Sequence, residues 1–335
     1  MQALVTGATG YVGSRLVSAL VAGGFDVVAT ARDPRRLRRI DWADQVQTLA
    51  LDVLDADSVQ AAFARCGRVD VAYYLVHALG EGDYESSDER AAGIFARAAA
   101  EAEVGRIVYL GGFVPAEENV SAHLRSRARV GEVLQAGAVD AVLLRAAVIL
   151  GAGSTSFEII RHLVDRLPVV PLPPFMDHQV QPIAIADVLH YLVAAADPAV
   201  LSAGAYDIAG HERTTYAGLA RMYATAAGLR RVFVPVPVVS PAMAASVMGP
   251  LMPVPSDLVS DLVRSLDNSM VSGDRRIEGL IDEPFGGLAS IAEAIHRALD
   301  RHSVTPARPV GVHRLPDPMG LAESDADWAG HPAAG

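Results

Sequence analysis

Apolar and polar positions alternate along the first half of the chain in blocks of two kinds. Compact apolar runs of strand length fall at Ala3–Thr6, Asp26–Thr30, Gln47–Leu51, Val69–Leu75, Arg106–Leu110 and Ala141–Arg145. Between them, apolar residues recur at helical spacing over about 11–23, 56–65, 84–103 and 124–136. Strands and helices in this alternation predict an α/β fold: a Rossmann-type, doubly wound parallel sheet covered on both faces. Ligands of such sheets bind beyond the carboxyl ends of the strands, near the point where strand order reverses. The residues just after each strand are therefore where function is expected.

After Leu150 the rhythm gives way to proline-rich segments and shorter helices at 155–166, 187–196, 214–227 and 287–300. Asp187 is expected to N-cap its helix, accepting from the free amides of the first turn. The expected organisation is a dinucleotide-binding core over 1–150 and a smaller, mostly helical substrate-binding region over 151–300, interwoven with the core. Residues 301–335 are rich in Pro, Gly, Asp and Ala without periodicity and read as a tail or linker. One stretch, Val232–Ser256, runs for 25 residues without a formal charge, longer than the roughly 20 that span a bilayer. It also holds six prolines, and a spanning helix there would lose several backbone hydrogen bonds in lipid. Extended pieces plus a short buried or interfacial helix are expected, and membrane contact is disfavoured.

Composition narrows the chemistry. All 28 basic residues are arginine, which excludes a lysine Schiff base. Apolar residues make up 51% and charged residues 20%, enough for a sizeable core. A formal charge of −11 argues against nucleic acid as a partner, because phosphate-backbone binding needs clustered cations. The single cysteine, Cys66, has no internal disulfide partner. The ten histidines show no tight metal spacing, so no metal is expected. Met1 and Gln2 lead straight into an apolar strand without a basic n-region, and a cytoplasmic location is expected.

The first strand runs into Thr6-Gly7-Ala8-Thr9-Gly10-Tyr11-Val12-Gly13 and then into a helix. In this GxxGxxG turn Gly7 permits the tight bend, Gly10 lets backbone approach a pyrophosphate, and Gly13 lets helix pack on strand. The pyrophosphate would lie on free N–H groups at the positive end of the helix. Strand, glycines, helix and second strand all fall in the first 30 residues, the context such a motif requires. About 20 residues on, an acidic side chain would bind the 2′-hydroxyl of NAD. Arg32 stands there instead, followed by Asp33-Pro34. A guanidinium suits a 2′-phosphate, so NADP(H) is favoured over NAD(H). Asp33 competes for that role, although Asp before Pro is also what a helix cap looks like. Asp52, past the third strand, reads either as an acceptor for the adenine amino group or as a cap for the next helix. Val53 beside it, and Leu75 and Val76 after the fourth strand, complete the expected cofactor contacts with Gly7, Thr9, Gly10, Tyr11, Val12 and Gly13.

With these residues in view, the chain resembles the atypical short-chain dehydrogenase/reductases, the NAD(P)-binding group related to NmrA-like proteins. The resemblance covers about residues 1–230. It rests on VTGATGYVG at the start, on Tyr73-Tyr74-Leu75-Val76-His77, on HLRSR at 123–127 and on QPIAIADV at 181–188. The chain looks like the N-terminal part of longer bacterial relatives, which continue past a segment like 325–330 into a further domain. The resemblance implies an NADP-bound Rossmann domain. Standard members use a Ser after strand five and a Tyr-x-x-x-Lys on the next helix. Here strand five ends in Leu110-Gly111-Gly112-Phe113, and the matching helix window is His123-Leu124-Arg125-Ser126-Arg127. Glycine, histidine and arginine thus replace the three catalytic types.

Arg127 remains a fixed cation able to hold ribose hydroxyls, but it cannot act as a base. His123 titrates near neutrality in water and can move a proton; the alternative is an ordinary helix-start residue. His77 follows the fourth strand at the same edge and is either a second proton carrier or a histidine bonded into its loop. Arg145 reads as an anion site or an ion-pair member, and Gln179 and Gln181 as pocket donors. Phe157, Phe175 and Val232–Ser256 are expected to shape an apolar pocket. The leading expectation is an NADPH-dependent oxidoreductase reducing a small, largely apolar carbonyl, enone or imine compound. The proton would come from His123, His77 or bound water. The alternatives are a redox-silent NADP(H)-binding sensor and a non-redox isomerase or cyclase.

Overall fold

The computed structural model describes residues 1–77, 84–113, 121–237, 240, 243, 253–300 and 317–330. The strands are β1 (Gln2–Val5), β2 (Asp26–Ala31), β3 (Gln47–Ala50), β4 (Val71–Tyr74), β5 (Ile107–Gly112), β6 (Ala141–Ala146), β7 (Ile149–Leu150), β8 (Val169–Leu172), β9 (Gln179–Val180), β10 (Ile183–Ala184), β11 (Gly204–Asp207), β12 (Thr214–Thr215) and β13 (Val232–Pro235). The helices are α1 (Tyr11–Ala22), α2 (Ala56–Cys66), α3 (Tyr84–Glu101), α4 (Ala122–Gln135), α5 (Thr155–Arg166), α6 (Ile185–Ala194), α7 (Tyr216–Ala226), α8 (Ser256–Ser265) and α9 (Ile291–Leu299).

Seven strands form one sheet in the order β3-β2-β1-β4-β5-β6-β11, and every pairing in it is parallel. This is the Rossmann-type α/β sheet that the alternating pattern predicts. Parallel strands need crossovers, and the crossover helices cover both faces. Successive side chains of a strand point to opposite faces: Ala3, Val5 and Tyr73 pack with Leu16, Leu20 and Leu192 of α1 and α6. Leu4, Ala72 and Tyr74 pack on the other side with Phe63, Phe95 and Leu134 of α2, α3 and α4. Strand order reverses between β1 and β4, where the first strand has neighbours reached in opposite directions along the sheet. The final strand, β11, comes from the second half of the chain and pairs with β6.

Several helix starts are set by caps. Asp55 accepts from the amides of Asp57 and Ser58, Ser121 from Leu124, Thr215 from Gly218 and Ser290 from Glu293. Two expectations need correction. The α6 helix begins at Ile185, so Asp187 lies inside its first turn rather than at the cap. Its buried carboxylate accepts instead from the Ala289 amide at 3.0 Å, joining two distant segments. Asp52 does not cap α2 either: its Oδ1 accepts from the Leu54 amide at 3.0 Å, and Asp55 takes the cap.

Residues 317–330, from the stretch that composition marks as a tail, lie folded against the core. Met319 is fully buried, and its carbonyl accepts from the Ala152 amide at 2.9 Å. Asp325 pairs with Arg15 of α1 through Nη1–Oδ1 at 2.6 Å and Nη2–Oδ2 at 2.8 Å. A segment without apolar periodicity is thus tied to the core in part by a carboxylate whose partner lies 310 positions away. In Val232–Ser256, Val232–Pro235 pairs with β8, whereas 238–239, 241–242 and 244–252 lie outside the described residues. No helix among the described residues is long and apolar enough to cross a membrane.

Candidate active site

The glycine turn sits between the end of β1 and the start of α1. Thr6 fixes it: its amide and hydroxyl both donate to the Tyr73 carbonyl at 3.0 Å, and its hydroxyl accepts from the Leu75 amide at 3.0 Å. Gly7 has φ +65°, and a Cβ there would stand 2.7 Å from the Leu75 carbonyl oxygen. A Cβ on Gly13 would fall on the Gly7 carbonyl. The backbone therefore makes a cradle that side chains would fill, at the amino end of a helix whose first amides lack intrahelical partners. The residues present fit a pyrophosphate.

A single cleft of about 670 Å³ runs from this cradle across the carboxyl ends of β1, β4, β5 and β6. Of the expected residues, Gly7, Gly10, Tyr11, Val12, Gly13, Leu75, His77, His123 and Arg127 line it. Thr9, Arg32, Asp52, Val53 and Val76 do not line it. Arg32 follows β2 directly and is exposed. Asp33 caps the 3₁₀ turn Pro34–Arg39, accepting from the Arg35 amide, and pairs with the Arg35 guanidinium at 3.0 Å.

His123 and Arg127 stand one turn apart on α4, on the same helix face, and both reach the cleft. Arg127 Nη2 donates to the Leu110 carbonyl at 3.0 Å, tying α4 to the end of β5. A Cβ on Gly112 would come within 3.3 Å of Leu124 Cδ2, so glycine lets α4 pack closely against the end of β5. Burial, and then the Arg127 charge, hold the His123 imidazole down to about 3. His123 is thus neutral at pH 7, unlike the free side chain on which titration near neutrality was expected. Burial also holds His77 well below the usual histidine range, helped by Arg127 and His123. Its Nδ1 is buried without a hydrogen-bond partner. The site therefore presents two uncharged imidazoles beside one fixed cation.

The outer wall comes from the second half of the chain: Ile159 and Leu163 of α5, Phe175, Met176, Tyr216, Leu258 and Leu262 of α8, and Met270. Phe175 was anticipated; Phe157 instead packs on Tyr223 in the core, ring centroids 5.8 Å apart. Arg145 pairs with Asp207 at 2.7 Å, and Gln181 donates to the Gly210 carbonyl at 2.7 Å; neither they nor Gln179 line the cleft. One contributor to the wall, α8, was not anticipated. Its apolar residues recur at helical spacing at Leu258, Leu262 and Leu266, a signal obscured by the prolines just before it. Val236 and Met243 bring part of Val232–Ser256 to the same wall. Among the described residues, no group of His, Cys, Asp or Glu is placed to hold a metal ion.

A family model described as NAD(P)H-binding matches residues 7–196, which include the cradle, both α4 residues and most of the cleft. The chain belongs to this NAD(P)H-binding family. Membership bears out the expected NAD(P)-binding character. An uncharacterised protein of Mycobacterium tuberculosis is 28% identical over 238 residues, covering 70% of this chain and 24% of that protein. The chain therefore spans about a quarter of the length of that relative. Among solved structures, a nucleoside-diphosphate-sugar epimerase from Staphylococcus aureus aligns with TM-score 0.70 at 15% identity, over 88% of this chain and 100% of that one. Citrobacter sp. triphenylmethane reductase complexed with NADP(H) aligns with TM-score 0.67 at 20% identity, over 89% and 100%. At these identities the likeness is one of fold, shared by redox and epimerising enzymes alike.

Proposed function

We propose that this NAD(P)H-binding protein is an NADPH-dependent, cytoplasmic oxidoreductase that reduces a small, largely apolar carbonyl, enone or imine compound without a Ser/Tyr/Lys triad. The observation that carries this reading is the continuity of one cleft. It joins the glycine cradle to His77, His123 and Arg127 and then to an apolar wall.

The cradle amides would hold the pyrophosphate, Arg32 the 2′-phosphate, Asp52 and Val53 the adenine end, and Arg127 the ribose hydroxyls. Bound NADPH supplies a hydride. Leu75 and the apolar wall exclude water and hold the acceptor beside the hydride donor. A neutral imidazole is a poor acid but a sound hydrogen-bond donor, and neutral histidine can polarise a carbonyl. His123 therefore steadies negative charge developing on the substrate oxygen, and water at the mouth supplies the proton that this oxygen takes up. His77 shares this role from the β4 side.

The apolar wall favours reduction over epimerisation of a nucleotide sugar, because no carboxylate lines the cleft and Arg127 is its one guanidinium among the described residues. Purified protein should oxidise NADPH in the presence of some member of a carbonyl and enone panel. His123→Phe should slow that turnover about 100-fold, within the usual range for losing one donor to a developing oxyanion. Retained NADPH binding with no turnover across the panel would transfer the site to the sensor reading.

A further inference from the structure

Tyr216 opens α7 on the outer wall of the cleft. Its side chain is only 4% exposed. Other buried hydroxyls here are occupied: Ser154 Oγ donates to the Ile149 carbonyl at 2.7 Å, and Tyr223 Oη to Asp165 at 2.9 Å. The Tyr216 hydroxyl has no hydrogen-bond partner among the described residues. Among the described residues, the side-chain atoms that are both buried and unpartnered are Tyr11 Oη, His77 Nδ1, His162 Nδ1 and Ser324 Oγ. Tyr216 Oη is not one of them, and Tyr216 lines the cleft. Burial raises its pKa, with no charged neighbour contributing, so it stays a protonated donor.

The two walls carry different chemistry. His77, His123 and Arg127 stand on the core side, on β4's trailing loop and α4. Tyr216 belongs to the second half, where α7 packs on α5 and on the 3₁₀ turn Pro174–Asp177. A bare phenol in an apolar wall is costly unless something accepts from it. A charged ligand group would find no counter-charge there, whereas a neutral oxygen would complete the site.

Resting on the reductase reading, we infer that the substrate is an uncharged lipophile with two polar ends: the reducible group meets His123, and a second, neutral oxygen acceptor takes a hydrogen bond from Tyr216. Tyr216 is then a specificity-determining residue, remote from the reacting carbon.

The test compares two ketones of nearly equal shape, 6-methoxy-2-acetylnaphthalene and 6-ethyl-2-acetylnaphthalene, which differ in the distal acceptor. Their affinities are measured on protein saturated with NADP⁺, so that no reduction intervenes. Wild type should bind the methoxy compound about 3- to 10-fold tighter, the worth of one neutral hydrogen bond. Tyr216→Phe should erase that preference without weakening the ethyl compound or NADP⁺ and without lowering thermal stability. A preference that survives the substitution, or is absent from wild type, overturns the inference. So does failure to bind either ketone. If the preference is present and Tyr216-dependent but NADPH reduces neither ketone, the anchor stands and the reductase reading falls.

Discussion

The amino end of α1 is held from two sides, and the two sides are built on opposite principles. Facing the cleft is the glycine turn, made of backbone and contiguous in sequence. Facing away is a clasp made almost wholly of one side chain. Arg15 places Nε on the Pro318 carbonyl at 2.9 Å, Nη1 on Tyr11 and Asp325, and Nη2 on Ala152, Gly320 and Asp325. Its guanidinium also lies 4.1 Å from the Tyr11 ring centroid, and Tyr11 in turn lines the cleft. The turn gains by having no side chains, so that a ligand can approach. The clasp gains by satisfying every donor of a buried cation, the condition under which such a charge is tolerated.

Breaking the clasp should have the largest effect. Arg15 and Asp325 side chains are 4% and 3% exposed, so Asp325→Ala leaves a buried guanidinium without its counter-charge. A loss of about 3–5 kcal/mol is expected, read as a large fall in melting temperature. Replacing both partners by apolar residues of similar size, Arg15→Met with Asp325→Leu, should recover most of it. NADPH affinity, measured well below the melting temperature, should change much less than stability. If Asp325→Ala abolished cofactor binding while leaving the melting temperature in place, the clasp would belong to the cofactor site and the contrast would fail.

The turn side is sharpened by a substitution that touches affinity and not folding. Arg32 is exposed at the end of β2, where little packing depends on it. Arg32→Ala should weaken NADPH roughly tenfold or more, the worth of a charge-assisted hydrogen bond, with NADH affinity and melting temperature nearly unchanged. Titration of both cofactors checks it. Equal weakening of the two would remove Arg32 from the 2′-phosphate and return the choice of cofactor to Asp33 and its neighbours.

The same contrast explains what was legible. Parallel sheet, crossover helices and glycine turn are short-range patterns, readable from period and spacing. His123 and Arg127 follow from the family resemblance, whose Tyr-x-x-x-Lys window they occupy. Tyr216, Met270 and α8 reach the cleft only because the second half folds back over the sheet, which no local pattern specifies. Asp187 and Asp325 show the limit most clearly. Each looks like a cap or a solvated tail residue, and each is a buried carboxylate serving a segment about a hundred or more positions away. A single long-range contact leaves no periodicity to detect.

Acidity also separates the two sides. On the cleft side His123 is held at about 3, against about 6.5 for an unfolded histidine. Between those values the unfolded chain binds a proton that the folded chain does not, so stability rises with pH across the window and is lost on acidification. On the clasp side, burial and Arg161 also lower the pKa of His162, but Glu158 acts in the opposite sense, and their Nε2–Oε2 distance is 3.8 Å. The acid limb should therefore depend more on His123. His77 acts in the same direction as His123, and Asp187, raised by burial, in the opposite one, so only differences between variants isolate a residue. Melting temperature followed from pH 7 down to about pH 4 should fall less steeply in His123→Phe than in wild type, with His162→Phe between them. Parallel curves for wild type and His123→Phe would mean that water reaches the imidazole in the folded protein. The neutral donor invoked for reduction would then be an ordinary, titrating histidine.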